Sequence, residues 1–216
     1  MAQQIAVIGL GRFGNSVARS LSELGQEVMA IDVDEEKVQK LAPSVTTAVV
    51  ANVMDIDAMR AVGIRNVDVA VVAVGTELKA SIVGTMVLKE LGVRSIVAKA
   101  NDELHGKVLE KVGAERVLYP ERDTGARLAR VLTSTNIIEQ IDLDPNYSIV
   151  EMVAPSQMTG RTLATLNIRA RFGVYIMAIR SAGRMMIAPG ADDVIHEGDV
   201  VVVIGQNDNL QRFKRI

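Results

Sequence analysis

Ile5-Ala6-Val7-Ile8-Gly9-Leu10-Gly11-Arg12-Phe13-Gly14 is the stretch from which the fold is read. An apolar run of strand length leads into G-x-G-x-x-G, and a helix-like segment follows. A second apolar run, Glu27–Asp32, ends on an acid 18 residues after Gly14. Each glycine has a separate task in such a loop. Gly9 permits the tight turn, Gly11 lets a phosphate approach the backbone, and Gly14 lets the helix pack close to the strand. The start of that helix offers free N–H groups and a partial positive charge to an anion. Asp32 can accept hydrogen bonds from a ribose diol. These residues predict a Rossmann-type nucleotide-binding domain; the alternative is a fold that keeps the loop without a ligand. Arg12, inside the loop, reads either as a forked cation for a phosphate chain or as a solvated arginine at a helix start.

The flanking sequence repeats the pattern. Residues 5–9, 27–32, 47–51, 67–74 and 95–99 read as strands rich in Val, Ile and Ala. Residues 13–24, 35–41, 56–62, 78–91 and 103–112 read as the helices between them. Several of these helices end at a glycine: Gly25, Gly63, Gly92 and Gly113. Such alternation predicts βαβ units and an α/β, doubly wound parallel sheet. A sixth strand at 116–119 precedes Pro120. A helix over 121–132 then carries an apolar stripe of Ala126, Leu128, Ala129, Val131 and Leu132. It is a candidate crossover to another domain or subunit, or else packs on the sheet.

The texture changes near Asp142. Asp144-Pro145-Asn146, Ala182-Gly183 and Gly198-Asp199 mark turns. Strands are expected at 148–153, 174–180, 185–188 and 200–204, with a short helix at 163–168. The expected organisation is a nucleotide-binding lobe over 1–120, crossover helices over 121–141 and a smaller α+β lobe over 142–216.

Bulk properties exclude other classes. The chain has 216 residues, 49% apolar and 23% charged, with a net charge of -2. That describes a folded chain with no basic face, so nucleic acid is not an expected partner. Cysteine is absent, which removes disulfides, thiolate metal sites and cysteine nucleophiles. No apolar run reaches the roughly 18–20 residues of a membrane span. The opening Met1-Ala2-Gln3-Gln4 lacks a basic segment and reads as no signal peptide. Mean hydropathy is +0.23, which fits a parallel sheet apolar on both faces or burial in subunit interfaces.

A dehydrogenase would need an acid/base group beside its cofactor. His105 and His196 are the two histidines, and neither comes with a partner carboxylate or substrate arginine in a recognisable order. Both read as surface or structural residues. The loop therefore points to binding without chemistry.

Longer stretches resemble one family. Ala6–Gly14, Ala30–Asp32, Leu88–Leu91, Lys107–Ala114, Pro120-Glu121, Tyr147–Glu151 and Asn167–Gly173 are similar to the KtrA/TrkA potassium-uptake regulators, built from RCK (or KTN) domains. The length is that of the single-RCK KtrA type. The resemblance implies a cytoplasmic regulatory subunit, held at the membrane by a K⁺ transporter of the KtrB/TrkH type. It also implies a ring of subunits, typically an octamer. ATP and ADP would compete for the first lobe, with ATP favouring the active form. The implied nucleotide site comprises Gly9, Gly11, Arg12, Phe13, Gly14, Asp32, Asn52, Val53, Ala73, Gly75 and Lys99. Arg12 would reach a triphosphate across a dimer interface. Glu121 would hold a cation, Mg²⁺ or Ca²⁺, between subunits; read alone, it is an acid suited to a helix start. In some relatives the second lobe binds cyclic di-AMP, in the region of Ile168, Arg169 and Pro189. An NAD(H)-binding redox sensor, a small NAD-dependent oxidoreductase and a transcriptional redox sensor remain as alternatives.

Overall fold

The computed structural model describes residues 2–75, 77–132 and 136–215, with Arg130 and Val131 described by their backbone alone. Val131, part of the expected apolar stripe, thus lies outside the described side chains, as does part of the expected crossover segment. The chain divides into two compact units, Met1–Arg122 and Asp123–Ile216.

In the first unit six parallel strands alternate with helices. They are β1 (Gln4–Ile8), β2 (Glu27–Asp32), β3 (Thr47–Val50), β4 (Val69–Val72), β5 (Ser95–Lys99) and β6 (Arg116–Leu118). Between them run α1 (Arg12–Glu23), α2 (Glu35–Leu41), α3 (Ile56–Ala61), α4 (Leu78–Glu90) and α5 (Glu103–Val112). The order across the sheet is β3-β2-β1-β4-β5-β6, so the winding direction reverses between β1 and β4. Both faces of β1 are covered: Ala6 and Ile8 join one buried cluster, Ile5 and Val7 another. That explains its unbroken apolar run. Each fully buried Val or Ile contributes about 1.5–3 kcal/mol.

Register positions the site. Ile8 pairs with Ile31 of β2 and with Val72 of β4, Val72 pairs with Ala98 of β5, and Asp32 pairs with Val50 of β3. The residues just beyond these pairs therefore emerge at one edge of the sheet. They are Gly9, Asp32, Ala51, Ala73 and Lys99. In an open parallel sheet, that edge at the reversal point forms the crevice for ligands.

The second unit is antiparallel. Its sheet, ordered β10-β9-β11-β8-β7, comprises β7 (Ile137–Asp142), β8 (Tyr147–Val153), β9 (Tyr175–Ser181), β10 (Arg184–Ile187) and β11 (Val200–Gln206). One face is covered by α7 (Leu163–Leu166), α8 (Ile168–Phe172) and α9 (Asn207–Phe213). Val150, Met152, Val201 and Val203 point into that core with Leu166, Leu210 and Phe213. Ala182 and Gly183, both at positive φ, make the two-residue turn between β9 and β10.

Two sequence expectations are corrected. The 121–141 segment is not helical throughout: α6 (Pro120–Leu132) is followed by strand β7, which belongs to the second sheet. The expected helix at 163–168 is broken at Asn167, whose left-handed backbone (φ 44°, ψ 44°) separates α7 from α8. The closing helix α9, for which the sequence carries no expectation, buries Leu210 and Phe213.

Candidate functional site

Three glycines shape the crevice in different ways. Gly9 has φ +89°, and a Cβ there would lie 2.9 Å from the Val74 side chain. Gly14 is buried, and its Cβ would lie 1.9 Å from the Gly9 carbonyl oxygen. Only a hydrogen lets α1 sit this close to β1. Gly11 differs: its φ is -66°, and a Cβ there would meet nothing within 4 Å. The fold itself does not require glycine at 11, so the open space over its backbone is left to something that enters the cleft.

Gly11 is also the N-cap of α1. No side chain caps that helix, and its first turn holds no acid. By contrast α2, α3 and α5 begin under Asp34, Asp55 and Asp102, whose carboxylates accept backbone N–H groups. The donors at the start of α1 are therefore available to an anion.

Asp32 is buried and already engaged. Its Oδ2 accepts from Leu10 N at 2.6 Å, and its Oδ1 accepts from Asp34 N at 2.9 Å. The carboxylate thus fixes the glycine loop against β2. Each oxygen keeps a second lone pair, which a ribose diol could use. Lys37 Nζ lies 4.0 Å from Asp32 and 3.2 Å from Asp34. The bond from Lys37 holds the Asp34 carboxyl below its ordinary pKa, and Asp34 raises the lysine in turn.

A cleft of about 750 Å³ joins these parts, within the usual size of ligand pockets. Gly9, Gly11, Arg12, Phe13, Asp32, Asn52, Val53, Ala73, Gly75, Lys99 and Glu121 all line it. Gly14 does not; it acts from behind, through the packing of α1. Asn52 Oδ1 accepts from Met54 N, which leaves its amide N–H₂ to the cleft. Val53 faces both ways, since it also fills the space beside Gly84 of α4.

At the other end of the cleft, Lys99 and Glu121 form an ion pair of 2.6 Å. Lys99 is 11% exposed and Glu121 is 70% exposed. The ammonium also lies 5.9 Å from the centre of the Phe13 ring. Its hydrogen bond holds the Glu121 carboxyl below the ordinary carboxylate range, and Arg12 adds to the effect. Among the described residues no three His, Asp or Glu side chains group as cation ligands. Within one chain, Glu121 answers the lysine.

Sequence reasoning passed over Lys37, Glu77 and Asn101, which also line the cleft. Asn101 is a polar residue two positions past the end of β5. Its amide donates to the Gly75 carbonyl oxygen. His105 is buried and not on the surface; burial lowers its pKa, and Asp102 partly opposes that. His196 is exposed, in the second unit. In that unit a shallow depression of about 190 Å³ is lined by Ile168 and Arg169 but not by Pro189.

The comparisons with known proteins follow the same division. Residues 5–120 match the TrkA-N domain and residues 147–216 match the TrkA-C domain. The chain is 43% identical to the Ktr system potassium uptake protein C of Bacillus subtilis, covering 100% of this chain and 97% of that protein. It is 41% identical to protein A of the same system and organism, over 98% and 96%. Protein A of Vibrio alginolyticus is 35% identical, over 96% and 94%. Among solved structures, the GsuK RCK domain aligns with a TM-score of 0.67 at 18% identity, over 100% of this chain and 47% of that one. That likeness supports the fold. No helix among the described residues is long and apolar enough to cross a membrane. With both domains matched and relatives similar end to end, the chain belongs to the TrkA-N/TrkA-C family of potassium uptake proteins, the family of the Ktr system.

Proposed function

We propose that this chain is a nucleotide-binding regulatory subunit of a membrane K⁺ transporter, acting from the cytoplasmic face without chemistry of its own. The observation that carries this reading is the cleft at the sheet reversal. There an unused helix start, an open Gly11 backbone and the Asp32 carboxylate converge. These are the three needs of a ribose joined to a phosphate chain. The partner is a transporter of the KtrB/TrkH type, as the potassium-uptake relatives suggest.

ATP and ADP compete for the cleft. Arg12 is exposed at its phosphate end and meets the γ-phosphate of a nucleotide held by a neighbouring subunit. ADP lacks that group. A ligand shifts a conformational equilibrium only by its differential affinity for the two states. A charge-assisted contact made in one state supplies about 1–3 kcal/mol per site, and sites coupled in a ring of eight add up. Exposed apolar residues on α4 (Leu78, Met86) and α6 (Leu128, Leu132) support subunit contacts through those helices. Glu121 leaves Lys99 to hold Mg²⁺ or Ca²⁺ when a second subunit brings further oxygens. Cyclic di-AMP would take the depression beside Ile168 and Arg169.

The competing reading is a redox sensor that binds NAD(H). The ribose acid serves either dinucleotide or mononucleotide, and the GsuK channel, similar in fold, is known both with NAD and with ADP bound. Titration calorimetry with ATP, ADP, NAD and NADH separates the two. Adenine nucleotides binding more tightly than NADH supports the proposal; the reverse order overturns it.

A further inference from the structure

Behind the cleft wall lies a titratable group that nucleotide binding has not yet used. His105 is 3% exposed, near the start of α5. Its Nδ1 accepts a hydrogen bond from the backbone N–H of Asn101 at 3.3 Å. An imidazole nitrogen that accepts carries no proton, so the proton of neutral His105 sits on Nε2. Nε2 is buried and has no acceptor among the described residues. Two bonds then join this ring to the cleft. Asn101 is held by His105 through its backbone, and its side-chain amide is donated to the Gly75 carbonyl in the wall. Gly75 in turn lies close to Lys99: a Cβ on it would come within 3.1 Å of the ammonium.

We infer that His105 is a positioning residue for the nucleotide cleft, holding Asn101 and Gly75 in the binding geometry only while its ring is neutral. A protonated ring has N–H groups on both nitrogens. Its Nδ1–H would face the Asn101 N–H, donor against donor, and the bond that fixes residue 101 is lost. The wall at Gly75 and Lys99 moves with it, and nucleotide affinity falls.

The surroundings favour the neutral ring. The buried residues of α4, which packs beside α5, are Ala80, Ser81, Gly84, Thr85, Val87 and Leu88, none of them charged. The phenol of Tyr119 lies against Gly106, the next residue. The charged group acting on the ring is Asp102, the cap of its own helix, and burial outweighs it. Lys89 of α4 reaches the far end of α5, at Gly113.

This inference rests on the nucleotide reading of the cleft, and the test separates the two. The probe is ADP, with the full-length protein labelled at its two histidines for NMR and His196→Gln to assign the signals. Linkage requires that a ligand preferring the neutral ring lowers its pKa. The expected result is a fall in the His105 pKa on saturation with ADP. In parallel, ADP affinity should drop about 3-fold once the pH lies about half a unit below the His105 pKa measured without ADP, beyond the change in His105→Asn. In that variant Oδ1 can take the place of Nδ1 but does not titrate. A His105 pKa that is the same with and without bound ADP overturns the inference, whether or not the variant folds. Failure of ADP to bind at any pH overturns the nucleotide reading itself.

Discussion

A methyl group on Gly14 would lie 1.9 Å from the Gly9 carbonyl oxygen, whereas one on Gly11 would touch nothing. Two neighbouring glycines of one motif thus answer to different demands, and mutation should separate them. Gly14→Ala forces α1 off the sheet and should cost about 3 kcal/mol or more in chemical denaturation. Gly11→Ala should leave stability within about 0.5 kcal/mol of the parent and abolish nucleotide binding. Arg12→Ala should leave ADP affinity nearly unchanged and remove about 1–3 kcal/mol of the advantage of ATP. Equal losses for both nucleotides in calorimetry would contradict the role given to Arg12. The glycine motif and Asp32 were legible in the sequence because one short segment and one strand end contain them. The Lys99–Glu121 pair and the Asn101–Gly75 bond were not. They join residues 22 and 26 positions apart, and the sequence carries no local sign of such contacts.

At the scale of the element, Asn167 separates two short helices with a left-handed backbone that most side chains resist. Asn167→Ala should destabilise the second unit by about 1 kcal/mol, and Asn167→Gly should not, as read from thermal unfolding. α5 carries a pH dependence. A buried histidine with a lowered pKa stays neutral while its unfolded counterpart takes a proton near pH 6.5. The unfolded chain then binds more protons, so the stability from His105 is present above that pH. It is lost as pH falls through the lower, folded value. His105→Asn should flatten this limb in denaturation curves measured between roughly pH 7 and pH 5. The strands and helices of the first unit were readable because a parallel sheet with both faces covered leaves long apolar runs between amphipathic ones. Strand β7 was not. It is an edge strand, and its pairing with β8 shifts between Ile137 and Glu139. That irregularity breaks the two-residue alternation by which a strand is recognised.

The chain comprises a parallel lobe, which carries the cleft, and an antiparallel lobe of a different build. The turn cluster Asp144-Pro145-Asn146 signals the change of texture in the sequence, but it lies within the second sheet, between β7 and β8. The structural division at Arg122 and Asp123 falls inside α6, where no change of composition marks it. A ligand that binds only the folded first lobe should raise its stability by about 2.7 kcal/mol at a hundred times its dissociation constant. The central claim is that adenine nucleotides occupy the cleft of an assembled ring. Calorimetry with ATP, ADP, NAD and NADH, with light scattering on the same samples, tests it most directly. The account predicts tight, competitive binding of ATP and ADP to a ring of eight subunits. Tight NADH binding to a dimer, with ATP and ADP weak, would contradict it.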